Sequence, residues 1–198
     1  IEAFKNTITA YTGSEEAYSA LEGLEQIYVE TNNINEYIAY TKQLTHINMH
    51  QVSSEDSLVY VTAELQYMLG NHQQAAAGFT TYLTSFCPGG RYCTNATYYA
   101  ANSFYQLKQF EEAIAQYSAL VDIQGNPYIE EACMRVAELS YDKQEYRTAL
   151  YYFQRMSEVA SSNSKRTTAL LGMLRCGSNI ADKSTVLDVA TRLLDEPA

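Results

Sequence analysis

The sequence predicts an all-α chain built as an array of antiparallel helix pairs, and two observations predict it. One phrase is written three times: Gly70-Asn71-His72-Gln73-Gln74-Ala75-Ala76-Ala77-Gly78-Phe79, Lys108-Gln109-Phe110-Glu111-Glu112-Ala113-Ile114-Ala115-Gln116-Tyr117, and Gln144-Glu145-Tyr146-Arg147-Thr148-Ala149-Leu150-Tyr151-Tyr152-Phe153. In each copy a short turn leads to an aromatic or His, then to an Ala three residues on, then to an aromatic four beyond it, offsets that mark one face of a helix. The Ala residues stand 38 and 36 residues apart. Such a period belongs to stacked helical repeats, where Ala lets two helices cross at close range.

Taken in order, residues 1–12 read as the second helix of a pair whose first helix lies outside the sequence, with Tyr11-Thr12-Gly13-Ser14 as the turn that follows. On that reading the chain is a piece of a longer protein, and the apolar Phe4, Ile8 and Tyr11 would give self-association through its cut end. A pair over 14–48 opens on Ser14-Glu15-Glu16, which puts acids at the positive end of a helix. Leu21, Leu24 and Tyr28 precede its turn at Asn32-Asn33, and Tyr37, Thr41 and Leu44 follow it. No Ala stands at the crossing there, so looser packing is expected.

The pair at 54–87 opens on Ser54-Glu55-Asp56 in the same way. At its turn Gly70 is expected to end one helix while Asn71 caps the next, with Gln74 closing a capping box. The segment Phe86-Cys87-Pro88-Gly89-Gly90-Arg91-Tyr92-Cys93 interrupts the array before the pair at 92–123. Asn126-Pro127 is expected to cap the pair at 127–160, with Pro at the first helical position. A last pair at 163–195 carries Leu171-Gly172-Met173-Leu174, a turn at Gly177-Ser178-Asn179, and then Val186, Ala190 and Leu193. The total is about eleven helices.

The small-then-aromatic pair resembles the second helix of the tetratricopeptide repeat, and the resemblance covers nearly the whole chain. It implies a right-handed α-solenoid. The first-helix packing positions of that family would fall on Val59, Ala63 and Gln66, on Thr97, Ala101 and Phe104, and on Cys133, Ala137 and Ser140. The small residue is kept in all three, while the large one and the aromatic are eroded. The resemblance further implies a groove lined by Tyr60, Glu64 and Tyr67, by Tyr98, Asn102 and Tyr105, and by Met134, Glu138 and Tyr141. This would be a ladder of aromatics beside a row of carboxylates, or else tyrosines serving only to pack the helices. Ala10-Tyr11-Thr12-Gly13-Ser14 and the acids after it are similar to a turn of the bacterial envelope subclass, found in outer-membrane assembly lipoproteins and in the periplasmic partner of the Tol–Pal system. That subclass usually has Pro where this chain has Thr12. The likeness implies the periplasm or cell envelope rather than the cytoplasm.

Hydrophobic residues make up 46% of the 198, enough for a core. No run approaches the roughly 18 apolar residues of a membrane helix, so no direct membrane insertion is expected. A net charge of −10, with thirteen scattered basic residues, disfavours nucleic acid. Cys87 and Cys93 are close enough to bridge if the loop folds back, but two free thiols are the default expectation for that spacing. Cys133 and Cys176 are expected as buried small apolar residues. His46 and His50 are spaced i, i+4, but Ile47 stands where a zinc peptidase needs its Glu. Asn95-Ala96-Thr97 matches a glycosylation acceptor by a three-residue pattern only.

No phosphate loop or nucleophile motif occurs, so no catalysis and no cofactor are expected. The function expected is a non-enzymatic scaffold whose concave groove holds a protein or peptide segment with apolar anchors and basic residues. The alternative is a structural spacer or oligomerisation arm of a larger repeat protein, with no groove ligand.

Overall fold

The computed structural model describes residues 1–44, 53–123 and 125–195, and His46 and His50 lie outside them. The described residues form eleven helices and no strand: α1 Glu2–Ala10, α2 Glu15–Glu30, α3 Ile34–Thr41, α4 Glu55–Met68, α5 His72–Phe86, α6 Cys93–Gln106, α7 Phe110–Val121, α8 Ile129–Asp142, α9 Tyr146–Val159, α10 Asn163–Asn179 and α11 Lys183–Asp195. They gather into two compact units, Ile1–Leu107 and Lys108–Ala198.

The turn inside each pair is built one way. One residue per turn adopts the left-handed conformation: Asn32, Gly70, Lys108, Gln144 and Ala181, at φ of +57°, +77°, +59°, +62° and +56°. In four of these turns the next residue's N–H reaches back to a carbonyl inside the preceding helix, Asn33 to Tyr28, Asn71 to Gln66, Glu145 to Ser140 and Asp182 to Gly177, each at 2.9 Å. This is the Schellman closure, and glycine suits it best because it has no Cβ to crowd the carbonyl. Only Gly70 follows that preference.

The predicted helix starts hold at Ser14 and Ser54, whose hydroxyls accept the N–H of Ala17 and Ser57. The start expected after Asn71 holds as well, since α5 begins at His72, but the Asn71 side chain does not cap it. Its amide donates to Gln66 Oε1 at 2.9 Å instead, because Gln66 is buried and needs a partner. Asn126 is also buried, accepting from Tyr128 N–H and donating to the Leu120 carbonyl, so it closes the loop and α8 starts two residues later than Pro127. The last turn falls at 180–182, not at Gly177-Ser178-Asn179. Gly177 lies buried within α10, where a Cβ would come 3.2 Å from Val186. On α11 the fully buried side chain is Val189, with Val186, Ala190 and Leu193 only partly covered.

In unit 1, α5 is clasped between α4 and α6, and the first helices α2, α4 and α6 lie side by side. Ala63 on α4 meets α5 so closely that a Cβ on Gly78 would stand 2.7 Å from its own. Ala75 and Phe79 are fully buried behind that contact. In the α2–α3 pair the crossing position is filled by Tyr37, fully buried, with its ring 6.1 Å from Tyr28 and its hydroxyl 3.2 Å from Glu25. Burial and the Glu25 carboxylate both push that phenol's pKa up. The terminal patch expected at Phe4, Ile8 and Tyr11 is largely used up internally. Ile8 is 1% exposed, Phe4 packs on Gly23 of α2, and only Tyr11 stays open.

In unit 2, α8, α9 and α10 pack in succession and α11 closes on α10. Ala149 and Phe153 of α9 are buried, and Gly172 of α10 sits against the Phe153 ring, where a Cβ would come within 2.5 Å. Cys133 and Cys176 are buried and free, and burial raises each thiol to a pKa of about 11.

Candidate functional site

In unit 1 the expected surface residues divide between core and rim. Tyr60 is 3% exposed and belongs to the core, a correction to its expected place on an open groove. Its ring stacks on Tyr92 at 4.3 Å, with Phe79 at 5.9 Å and Tyr82 at 5.8 Å, and its hydroxyl donates to Glu64 at 2.7 Å. Burial and the bonded Glu64 raise its pKa, so the phenol stays protonated. Asn102 is buried as well. Glu64, Tyr67, Tyr98 and Tyr105 remain half-buried. Tyr67 meets Tyr99 at 4.9 Å and the His72 ring edge-on at 5.8 Å, while Tyr98 meets Tyr99 at 5.4 Å. Each of these rings is held by a second ring behind it, which fixes its direction at little entropic cost.

Neither Tyr92 nor Tyr99 was expected at this site. Tyr99 occupies a position that the sequence pattern did not mark, although it directly follows Tyr98 on α6. Asn95 and Thr97 are committed to the fold: Thr97 is buried and its hydroxyl donates to the Cys93 carbonyl, and the Asn95 side chain bonds to Tyr60. The acceptor pattern there is part of a packed helix.

In unit 2 the structure brings Met134 and Glu138 together in an open cleft of about 520 Å³, whose other walls include Tyr128, Glu131, Arg135 and Met156. Arg135 lies between two carboxylates, 3.9 Å from Glu131 and 3.6 Å from Glu138. The rim is tied by Glu130, which takes the Lys165 ammonium and both the N–H and the hydroxyl of Ser161. The bond from Lys165 is the main cause holding the Glu130 carboxyl below its usual pKa. Tyr141 stands apart from the cleft, edge-on to Tyr146 at 5.2 Å and accepting from Asn179 Nδ2 at 3.2 Å. The spacing Glu131, Met134, Arg135, Glu138 is a helix-face pattern in plain sight. Of its charged members only Glu138 falls on a position that the repeat resemblance marks, and Glu131 and Arg135 at i, i+4 have the pattern of an ordinary solvated ion pair.

Among the described residues no group of three or more His, Cys, Asp or Glu is placed to hold a metal ion. Nor is any described helix long and apolar enough to cross a membrane.

These pairs, with a left-handed residue in each turn and a buried Ala followed four residues on by a buried aromatic in α5, α7 and α9, have counterparts among solved structures. The protein YrrB, described as a tetratricopeptide-repeat protein with an unusual peptide-binding site, superposes with a TM-score of 0.55 at 14% identity, covering 98% of this chain and 91% of its own. The fold is that of the tetratricopeptide repeat. MamA from Desulfovibrio magneticus RS-1 matches with a TM-score of 0.52 at 13% identity over 90% of this chain and 93% of its own. PilF of Pseudomonas aeruginosa gives 0.51 at 14% identity over 96% and 79%. No family model and no curated protein matches this chain.

Proposed function

We propose that the chain is a non-enzymatic protein–protein interaction scaffold that holds a segment of a partner protein against its first-helix faces. The observation that carries this reading is the unit 2 cleft, where Met134 and Met156 offer an adaptable apolar floor beside the exposed carboxylate of Glu138. A segment with one large apolar side chain and a neighbouring Lys or Arg matches that chemistry. In unit 1 the braced rings of Tyr67 and Tyr98, with the half-buried Tyr105, supply aromatic area of the kind that dominates binding energy at interfaces. YrrB, at low identity, lends the analogy of a peptide-binding protein on this fold. A cross-link between Cys87 and Cys93 accords with an oxidising compartment, and so with the bacterial envelope rather than the cytoplasm.

The test is affinity capture from cell lysate and envelope fractions, comparing the wild type with a folded variant carrying Met134→Ala and Glu138→Gln in the cleft together with Tyr67→Ala and Tyr105→Ala in unit 1. A partner held by the first and lost by the second, at unchanged melting temperature, supports the scaffold. Identical captures by both would leave the tyrosines as packing and the chain as a spacer.

A further inference from the structure

The loop between α5 and α6 is tied more tightly than a connection needs. Cys87 and Cys93 are bonded across it, with Cα atoms 5.7 Å apart. Within the tie, Gly90 N–H donates to the Phe86 carbonyl at 2.6 Å, Arg91 N–H to Asp56 Oδ2 at 3.1 Å, and Tyr92 N–H to the Tyr82 hydroxyl at 2.9 Å. Tyr82 is fully buried and its hydroxyl in turn donates to Asp56 at 3.3 Å, so α4, α5 and the loop meet at one carboxylate. A Cβ on Gly90 would stand 2.6 Å from that hydroxyl, and the loop has no room to shift inward.

What the tie delivers is the ring of Tyr92 onto Tyr60. From there ring contacts run unbroken through Phe79, 5.6 Å from Tyr99, and from Tyr99 to Tyr67 and Tyr98. Tyr67 and Tyr98 belong to the recognition face. Both cysteines are only half-buried, so a small dithiol or a thiol–disulfide oxidoreductase can reach them.

We propose that the Cys87–Cys93 bridge is a redox latch on the unit 1 face: oxidised, it seats Tyr92 and holds Tyr67 and Tyr98 ready; reduced, it releases them. This regulatory role rests on the scaffold reading for its purpose, but its structural half stands without a partner. In the reaction a thiolate of an external dithiol attacks one sulfur of the bridge, forming a mixed disulfide and expelling the other sulfur as a thiolate. The dithiol's second sulfur then closes its own disulfide and frees the first cysteine. Cys87 and Cys93 together gain two electrons and two protons, and the dithiol is oxidised.

The experiment is hydrogen exchange on the whole chain, without partner, before and after treatment with dithiothreitol. Reduction is expected to speed exchange over residues 91–99 and the last turn of α4 roughly tenfold or more, and to leave unit 2 unchanged. Tyr92→Ala in the oxidised protein should loosen the same segments with the bridge intact. Unaltered exchange on reduction, or free thiols at Cys87 and Cys93 in air-oxidised protein, overturns the latch. A Tyr92→Ala variant as protected as wild type overturns the coupling through the rings. If reduction loosens the face but a captured partner is held equally by both forms, the regulatory role falls and the scaffold reading stands; if neither form captures a partner, the scaffold reading falls and the structural half of the latch stands.

Discussion

Where a second helix needs its aromatic, unit 1 sets Phe79 among other rings, with Tyr60 and Tyr99 beside it, whereas unit 2 sets Phe153 against the bare backbone of Gly172. Unit 1 fills its core by accumulating rings and cross-linking the loop beside them. Both units bring helices close at small residues, as Gly78 does against Ala63 in unit 1. Among the described residues, however, unit 2 adds no ring cluster around that approach, sets Cys133 and Cys176 in its core and ties its rim with ion pairs. The same repeat thus tolerates two solutions to close packing, one that adds bulk and one that removes it.

Removing the rings separates the two solutions most sharply. Phe79→Ala is expected to destabilise unit 1 by about 4 kcal/mol and Phe153→Ala to destabilise unit 2 by about 3 kcal/mol. Exchange protection in urea would report each unit, and equal losses in both would erase the distinction. Reducing the bridge, which closes a loop with a sequence separation of 6, should cost unit 1 about 2 kcal/mol by restoring freedom to its unfolded chain. Unit 2, which has no bridge, should not respond.

Smaller effects lie in the turns. Gln144→Gly and Ala181→Gly should each stabilise unit 2 by about 0.5 kcal/mol, since both residues sit at positive φ. Gly70→Ala should cost unit 1 about 1 kcal/mol for the same reason. Thermal melts of the three variants would expose a wrong sign at once. Smallest is the acid response of the unit 2 rim. Glu130 has its pKa lowered from 4.5 by folding, so its contribution is present above that value and fades as pH falls through the lower folded value. Glu130→Gln should flatten the fall in unit 2 stability on acidification, and an unchanged acid profile would count against the ion-paired rim.

The small-then-aromatic offsets were legible because they report contacts between neighbouring helices, which recur wherever the repeat recurs. Ala75, Ala113 and Ala149 are all fully buried. The ends were harder to see, because a cap competes with partners that are distant in sequence. Asn71 gives up its capping role to a buried Gln66, and Asn126 turns inward to Leu120. Gly177 looked like a turn because glycine usually is one, yet it is the space that Val186 needs. The surface was least legible. A position on the expected groove becomes core when a loop returns to cover it, and the loop holding Tyr92 does that to Tyr60. Nothing local to Tyr60 signals that return.

The two free thiols have a practical consequence. With Cys87 and Cys93 joined, the remaining thiols are Cys133 and Cys176, both fully buried and protonated at neutral pH. The native oxidised molecule is therefore silent toward a maleimide dye. The first fluorescence it acquires records the opening of Lys108–Ala198, so the protein carries its own clock for the unfolding of one half.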